Sequence, residues 1–152
     1  MEELYRKIGS LIQIVQYIEY NLVEVARLRR ILTIFDNKSS VPNKVFEQAE
    51  SEADDLREKL SNKTMGTVIK TIKNFYVLNA SQTEELEEIL GKRNDLVHHF
   101  FKENDFEEQA KNYSFMINRK GYLGNFLTQA EKYNSFLVDL IDQLQEEYDD
   151  IE

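Results

Sequence analysis

From Leu4 onward the apolar residues Leu4, Ile8, Leu11, Val15, Ile18, Leu22 and Val25 fall at steps of four and three, the spacing that turns one side of an α-helix toward a core. A second row, Ile14, Tyr17, Leu28 and Ile31, widens this stripe, and the pattern continues to about Phe35, roughly 50 Å of helix at 1.5 Å per residue. An apolar surface that wide packs on more than one neighbour, inside a bundle or across a subunit interface. The run from Asp36 to Pro42 breaks the pattern, with Pro42 well placed near the start of a second helix. That helix is expected over 43–60, with Val45, Phe46, Ala49, Ala53, Leu56 and Leu60 inward and an acidic face outward.

Ser61-Asn62-Lys63-Thr64 reads as a turn, followed by a shorter segment carrying Met65, Val68, Ile69, Ile72, Phe75 and Tyr76, its first turn weakened by Gly66. Ser81 with Glu84 three residues later predicts a capping box that opens a helix running to about Phe101. Met116, Leu123, Leu127, Ala130, Leu137, Ile141 and Leu144 predict a last helix, which Gly121 and Gly124 are placed to bend or break. Its acidic end, 146–152, is expected to fray. The chain therefore reads as all-α, four main helices plus a short extra helix in one domain over 1–152, with no repeat, low-complexity tract or linker.

Composition narrows the function classes. There is no cysteine, so disulfides, thiolate metal sites and thiol nucleophiles are absent, in keeping with a reducing compartment. The start of the chain lacks the basic-then-apolar build of a signal peptide and no window is apolar enough to span a membrane, so a cytoplasmic protein is expected. A formal charge of -9 argues against broad binding to duplex DNA, which draws on wide cationic surfaces. Acids concentrate in 47–58 and after Asp139, whereas 61–83 and 109–130 contain none and carry Lys63, Lys70, Lys73, Lys111, Arg119 and Lys120. The plainer reading is that acids and bases occupy different solvated helix faces; the alternative is a local anion groove on an otherwise acidic body. Lys111, Tyr113, Phe115, Arg119, Lys120, Tyr122 and Phe126 interleave bases with aromatics as a single-strand platform does, although most of those aromatics suit a core.

The feature that stands out is Arg93-Asn94-Asp95-Leu96-Val97-His98. On a helix, the neighbours of Arg93 are Leu86, Ile89, Leu90, Leu96, Val97 and Phe100, all apolar. A guanidinium in a leucine's position is costly unless it is paired or reserved for an anion. Asn94 and His98 share one helix edge, about 40° apart, and Arg93 can swing toward them. An arginine that neutralises a phosphate, an amide and an imidazole able to move a proton suit phosphodiester chemistry. In RNA the 2′-hydroxyl supplies the nucleophile, so such a site needs neither a metal nor a cofactor. Zinc is disfavoured on other grounds as well, because no cysteine and no His-Glu-x-x-His is present. The structural competitor is an ion pair from Arg93 to an acid on a neighbouring helix.

Arg-Asn-x-Leu-Val-His near the end of an amphipathic helix, followed by Phe100 and Phe101, resembles the signature of the HEPN superfamily (higher eukaryotes and prokaryotes nucleotide-binding domains), with the likeness confined to residues 93–101. The resemblance implies an up-and-down helical bundle that forms a homodimer, lining one cleft with two motifs. It also implies a metal-independent endoribonuclease acting on RNA in toxin-antitoxin, phage-defence or RNA-processing systems. On that pattern Arg93 is the arginine, Asn94 the polar residue after it and His98 the histidine. His99 also satisfies the spacing, and His98 is preferred because it lies on the Asn94 edge. Lys63, Lys70 and Lys73 are the expected substrate-binding cations. The alternative from another class is a non-catalytic module of the same family that pairs with a nucleotidyltransferase-like or other protein partner; an antitoxin is the partner that a toxin role would imply.

Overall fold

In the computed structural model, residues 2–35, 43–61, 64–73, 78–103 and 106–151 are described, and among them every regular element is helical. The helices are α1 (Glu2–Phe35), α2 (Asn43–Ser61), α3 (Met65–Lys73), α4 (Ala80–His98), two four-residue segments α5 (Phe100–Glu103) and α6 (Phe106–Gln109), and α7 (Tyr113–Ile151). The expected breaker at 36–42, Phe75 and Tyr76 lie outside the described residues.

The periodicity of α1 does what its width predicts, for α1 packs on α7, α2 and α3. Leu4, Leu11, Ile18, Leu22, Val25 and Ile31 are fully buried. Tyr17, placed in the second apolar row, instead lies half in solvent.

The pairings fix the chain directions. Arg27 Nε donates to Asp54 Oδ1 at 2.9 Å and Arg57 reaches back to Glu24 at 3.7 Å, so α2 is antiparallel to α1. Lys73 pairs with Glu87, and Gly66 lies against Leu90, which sets α3 antiparallel to α4. Lys92 Nζ donates to Gln129 Oε1 at 2.7 Å and the Tyr133 hydroxyl to the Gln82 carbonyl at 2.8 Å, so α4 is antiparallel to α7. Lys120 meets Glu3 at 3.4 Å and Asn21 Nδ2 donates to Asn134 Oδ1 at 2.7 Å, so α7 runs parallel to α1. The nine-residue α3 therefore supplies an extra reversal between α2 and α4.

Several boundaries differ from expectation. The capping box that opens α4 is formed by Asn79 and Gln82, not by Ser81 and Glu84. Asn79 Oδ1 accepts from the Gln82 amide at 2.8 Å, while Gln82 Oε1 accepts from the Asn79 amide at 2.9 Å. Asparagine caps as well as serine does, and the box moves two residues upstream. The far end of α4 closes at His98, where the His99 amide donates to the Asp95 carbonyl at 2.8 Å. Neither Gly121 nor Gly124 interrupts α7. Helix α7 continues to Ile151, with Tyr148 buried. No described helix is long and apolar enough to cross a membrane.

Candidate functional site

The last two turns of α4 carry the motif, and two sides of the helix position it. Leu86, Ile89, Leu96 and Phe100 are buried and fix the rotation of the helix against the core. The side toward α7 is tightly engaged. Lys92 pairs with Glu88 at 3.3 Å, donates to Gln129 and lies 5.7 Å from the Phe126 ring centroid. Tyr133 is buried beneath the first turn; its hydroxyl is pushed above its ordinary range by burial and, secondarily, by the Glu85 charge. Burial, with Asp95 adding to it, also raises Tyr122 on this side, and Arg119 partly opposes the shift.

Arg93 does not occupy the centre of the apolar stripe, as its neighbours in sequence suggested. Its side chain is 37% exposed, at the rim. The reason is visible in two of those neighbours: Val97 is 54% exposed and Leu90 only partly buried, so the apolar sector is narrower than the sequence pattern implies. From the rim, Arg93 Nη1 donates to Asn94 Oδ1 at 3.1 Å, and Nη2 lies 3.9 Å from Glu19 Oε1 on α1. The guanidinium thus has a carboxylate partner, at the outer limit of an ion pair and with Glu19 itself 34% exposed. An exposed single contact of that length is worth at most about 1 kcal/mol.

Asn94, His98 and His99 are all exposed. Asn94 and His98 stay on one edge, and the His98 and His99 rings stand 6.2 Å apart at 63°. His99 already has the non-helical backbone of the C-cap (φ -127°, ψ -23°), so it leaves the helical register that sets the Asn94 edge. Asn94, bonded to Arg93, and His98 therefore lie about one turn apart on one exposed edge of α4.

The lysines are elsewhere along the same helix. Lys70 and Lys73 line an open cavity of about 440 Å³ between α3 and α4, with Thr64, Thr67, Glu87 and Leu90. Glu87 pairs with Lys73 and lies eleven residues before His98, roughly 16 Å along the helix axis. Lys63 lies outside the described residues. On α7, Arg119 rests over the Phe115 and Tyr122 rings at 5.9 and 5.4 Å, and Lys120 is held by Glu3. Phe126 of that segment is buried, while Tyr113 is exposed. Among the described residues no group of three or more histidines and acids could hold a metal ion.

Glu19 is the site residue that sequence reasoning missed. A signal for it existed: Glu19 is the sole charge between Lys7 and Glu24, a lone acid on a helix face otherwise free of charge, and so the natural counterpart of a lone arginine. No family model matches the chain, and no curated protein or solved structure matches it.

Proposed function

We propose that this chain is a HEPN-type, metal-independent endoribonuclease that works as a homodimer on RNA in the cytoplasm. One observation carries the reading: Arg93 lies at an open rim, bonded to Asn94 and, among the described residues, paired with a carboxylate only at 3.9 Å from Glu19, with His98 exposed about one turn further on. A guanidinium held so weakly can exchange its carboxylate for a phosphate at small cost.

In the reaction, the 2′-hydroxyl of RNA attacks the adjacent phosphorus and the bond to the 5′-oxygen breaks, leaving a 2′,3′-cyclic phosphate and a 5′-hydroxyl. Arg93 would stabilise charge on the phosphoryl oxygens, Asn94 orient substrate or imidazole, and His98 transfer a proton, with His99 the alternative. Lys70 and Lys73, with Lys63, would hold flanking phosphates. The fold that goes with this reading is an up-and-down bundle of four main helices plus a short one. The role that goes with it is a toxin or phage-defence effector controlled by an antitoxin.

The test is purified protein and RNA in excess chelator, followed by end-group analysis. Cleavage that leaves cyclic phosphate ends and falls at least about 100-fold in His98→Ala is expected; cleavage unchanged both in that variant and in His99→Ala sinks the reading. The Arg93 and Glu19 pair itself favours a second reading, a non-catalytic module whose arginine is structural and which docks a nucleotidyltransferase-like or other protein. A stoichiometric partner purified from the native host, with no ribonuclease activity in the complex, would favour that module.

A further inference from the structure

Arg6, Arg27, Arg30, Arg57 and Arg93 each lie within ion-pair distance of a carboxylate, as expected of a chain whose net charge is -9. Arg119 does not. Among the described residues its partners are one amide oxygen and two rings. The stretch 109–130 around it contains no acid, and Glu3 across the α1 contact is taken by the neighbouring Lys120. Arg119 is nevertheless held in place. The Phe115 and Tyr122 rings, 5.9 and 5.4 Å away, form a bed for the guanidinium, and Nε and Nη2 both donate to Asn118 Oδ1, at 3.2 and 2.7 Å. Rings and a neutral amide fix a cation without cancelling its charge. Both bonds use the side edge of the guanidinium, so the end-on edge formed by Nη1 and Nη2 keeps its donors, and no acceptor among the described residues takes them. On a partly exposed residue, that edge has the fork geometry that grips two oxygens of a phosphate at once.

The place of Arg119 in the fold connects it to the motif. Lys92 lies over the Phe126 ring and α4 runs antiparallel to α7. Seven residues further along each helix, about 10 Å at 1.5 Å per residue, His99 and Arg119 come level. Tyr122, part of the bed, feels the charge of Asp95 within the motif. On this side the cation that α4 itself supplies, Lys92, is engaged by Glu88 and Gln129, so the guanidinium left for a ligand comes from α7. An arginine that served only to complement the C-terminal end of α4 would donate to its last carbonyls, and Arg119 donates to none of them.

We infer that Arg119 holds a backbone phosphate of a single-stranded RNA on the α7 side of the motif, as Arg93 does on the α1 side. The carbonyl end of a helix repels phosphate, so a strand crossing the end of α4 needs a cation at each flank. The two arginines are poised differently. A phosphate at Arg93 displaces the distant carboxylate of Glu19, whereas at Arg119 it displaces none and finds the guanidinium already oriented by Asn118 and the rings. Arg119 then binds the strand and takes no part in the proton transfers. The inference rests on the proposed function for the identity of the ligand as RNA, and it adds a contact on a second helix that fixes how the strand runs past His98.

The test is fluorescence anisotropy on the full chain over a range of salt, with a short single-stranded RNA whose 2′-O-methyl groups prevent attack by the 2′-oxygen. Arg119→Met keeps an apolar stem on the two rings and removes the charge. It is expected to weaken binding about fivefold or more in low salt, and to reduce the slope of log affinity against log salt by about 0.7, the share of one phosphate contact on a single strand. Its melting temperature should stay close to that of wild type. Arg119→Lys should restore the slope, and Lys132→Gln on the exposed surface of α7 should leave both slope and affinity unchanged. Affinity and slope unchanged in Arg119→Met, or a weakening that follows a fall in melting temperature with the slope intact, overturns the inference. Cleavage of unmodified RNA by the same proteins is a separate readout. Cleavage that depends on His98 or His99, with Arg119→Met binding as wild type does, removes this contact and leaves the ribonuclease. Binding that depends on Arg119 without cleavage leaves the contact and removes the ribonuclease, and RNA that does not bind the wild type removes both.

Discussion

The two sides of α4 spend their charged residues in opposite ways. Toward α7, Lys92 has a carboxylate, an amide oxygen and an aromatic face, and the buried Tyr133 ties the helix's first turn to the neighbouring helix. Toward α1 and solvent, Arg93 has one adjacent amide and one distant carboxylate, and His98 stands exposed. One side spends its polar groups on the fold; the other keeps them on a surface an anion can reach. A guanidinium needed only for packing would be expected to show the dense engagement of Lys92, so the looseness at Arg93 is what makes it a candidate for binding.

The contrast is broken most severely through the core that both sides share. Ile89 is fully buried between them, and Ile89→Ala should cost about 2–5 kcal/mol in chemical denaturation. It should abolish any ligand binding in proportion to the fraction unfolded. A variant that loses function while retaining its stability would show that the motif depends on local geometry, not on how α4 is seated in the core.

A smaller effect isolates the α7 side. Tyr133→Phe removes the hydrogen bond to the Gln82 carbonyl and should destabilise by about 0.5–1.5 kcal/mol while leaving the motif untouched. It also carries a pH signature. The folded state holds the Tyr133 proton to higher pH than the unfolded chain, because burial and then Glu85 oppose ionisation. Below the ordinary tyrosine value near 10.0 both states are protonated and the group makes no difference. As pH rises beyond it, the unfolded chain ionises and the fold loses stability, by up to about 1.4 kcal/mol per pH unit from this residue. Alkaline melting curves of Tyr133→Phe should therefore fall less steeply than those of wild type. Parallel curves would mean that the tyrosine is not confined as the structure has it.

What the sequence made legible here is periodicity. The 3.6-residue spacing of α1 predicts a helix touching several neighbours, and where the side chains of α2 are described Ala49 and Ala53 are buried while Glu47, Glu52 and Asp55 are exposed, because burial of a helix stripe is a local property of the chain. The start of α4 is displaced because Ser81 with Glu84 and Asn79 with Gln82 are both chemically competent boxes, and only the seating of the helix decides between them. Arg93 is misplaced toward the core for a non-local reason. Among the described residues α3 meets α4 at Glu87 and Leu90, ahead of the motif, and Val97 is exposed. No window of sequence around Arg93 records where α3 meets α4. The lone charge of Glu19 was legible, but as a partner it needed the antiparallel placement of α4 against α1 to acquire a meaning.

The smallest expected effect is the most discriminating. Arg93 and Glu19 are each more than a third exposed or close to it, and 3.9 Å apart, so Arg93→Ala should change stability by less than about 1 kcal/mol, a shift in melting temperature below about 4 °C for a domain of this size. If Arg93 is instead the structural counterpart of Lys92, its loss strands Glu19 against α4 and the melting temperature falls further. The sign at Glu19 separates the two readings again. Where Arg93 serves an anion, Glu19 competes with that anion, and Glu19→Gln should tighten the binding of a short RNA a few-fold in low salt, with the gain fading as salt rises. Where Glu19 instead holds Arg93 in place for the fold, Glu19→Gln should lower the melting temperature and give no gain in binding. A tighter complex with an unchanged melting curve, measured by fluorescence anisotropy and calorimetry on the same sample, is the outcome that the loosely held side of α4 requires.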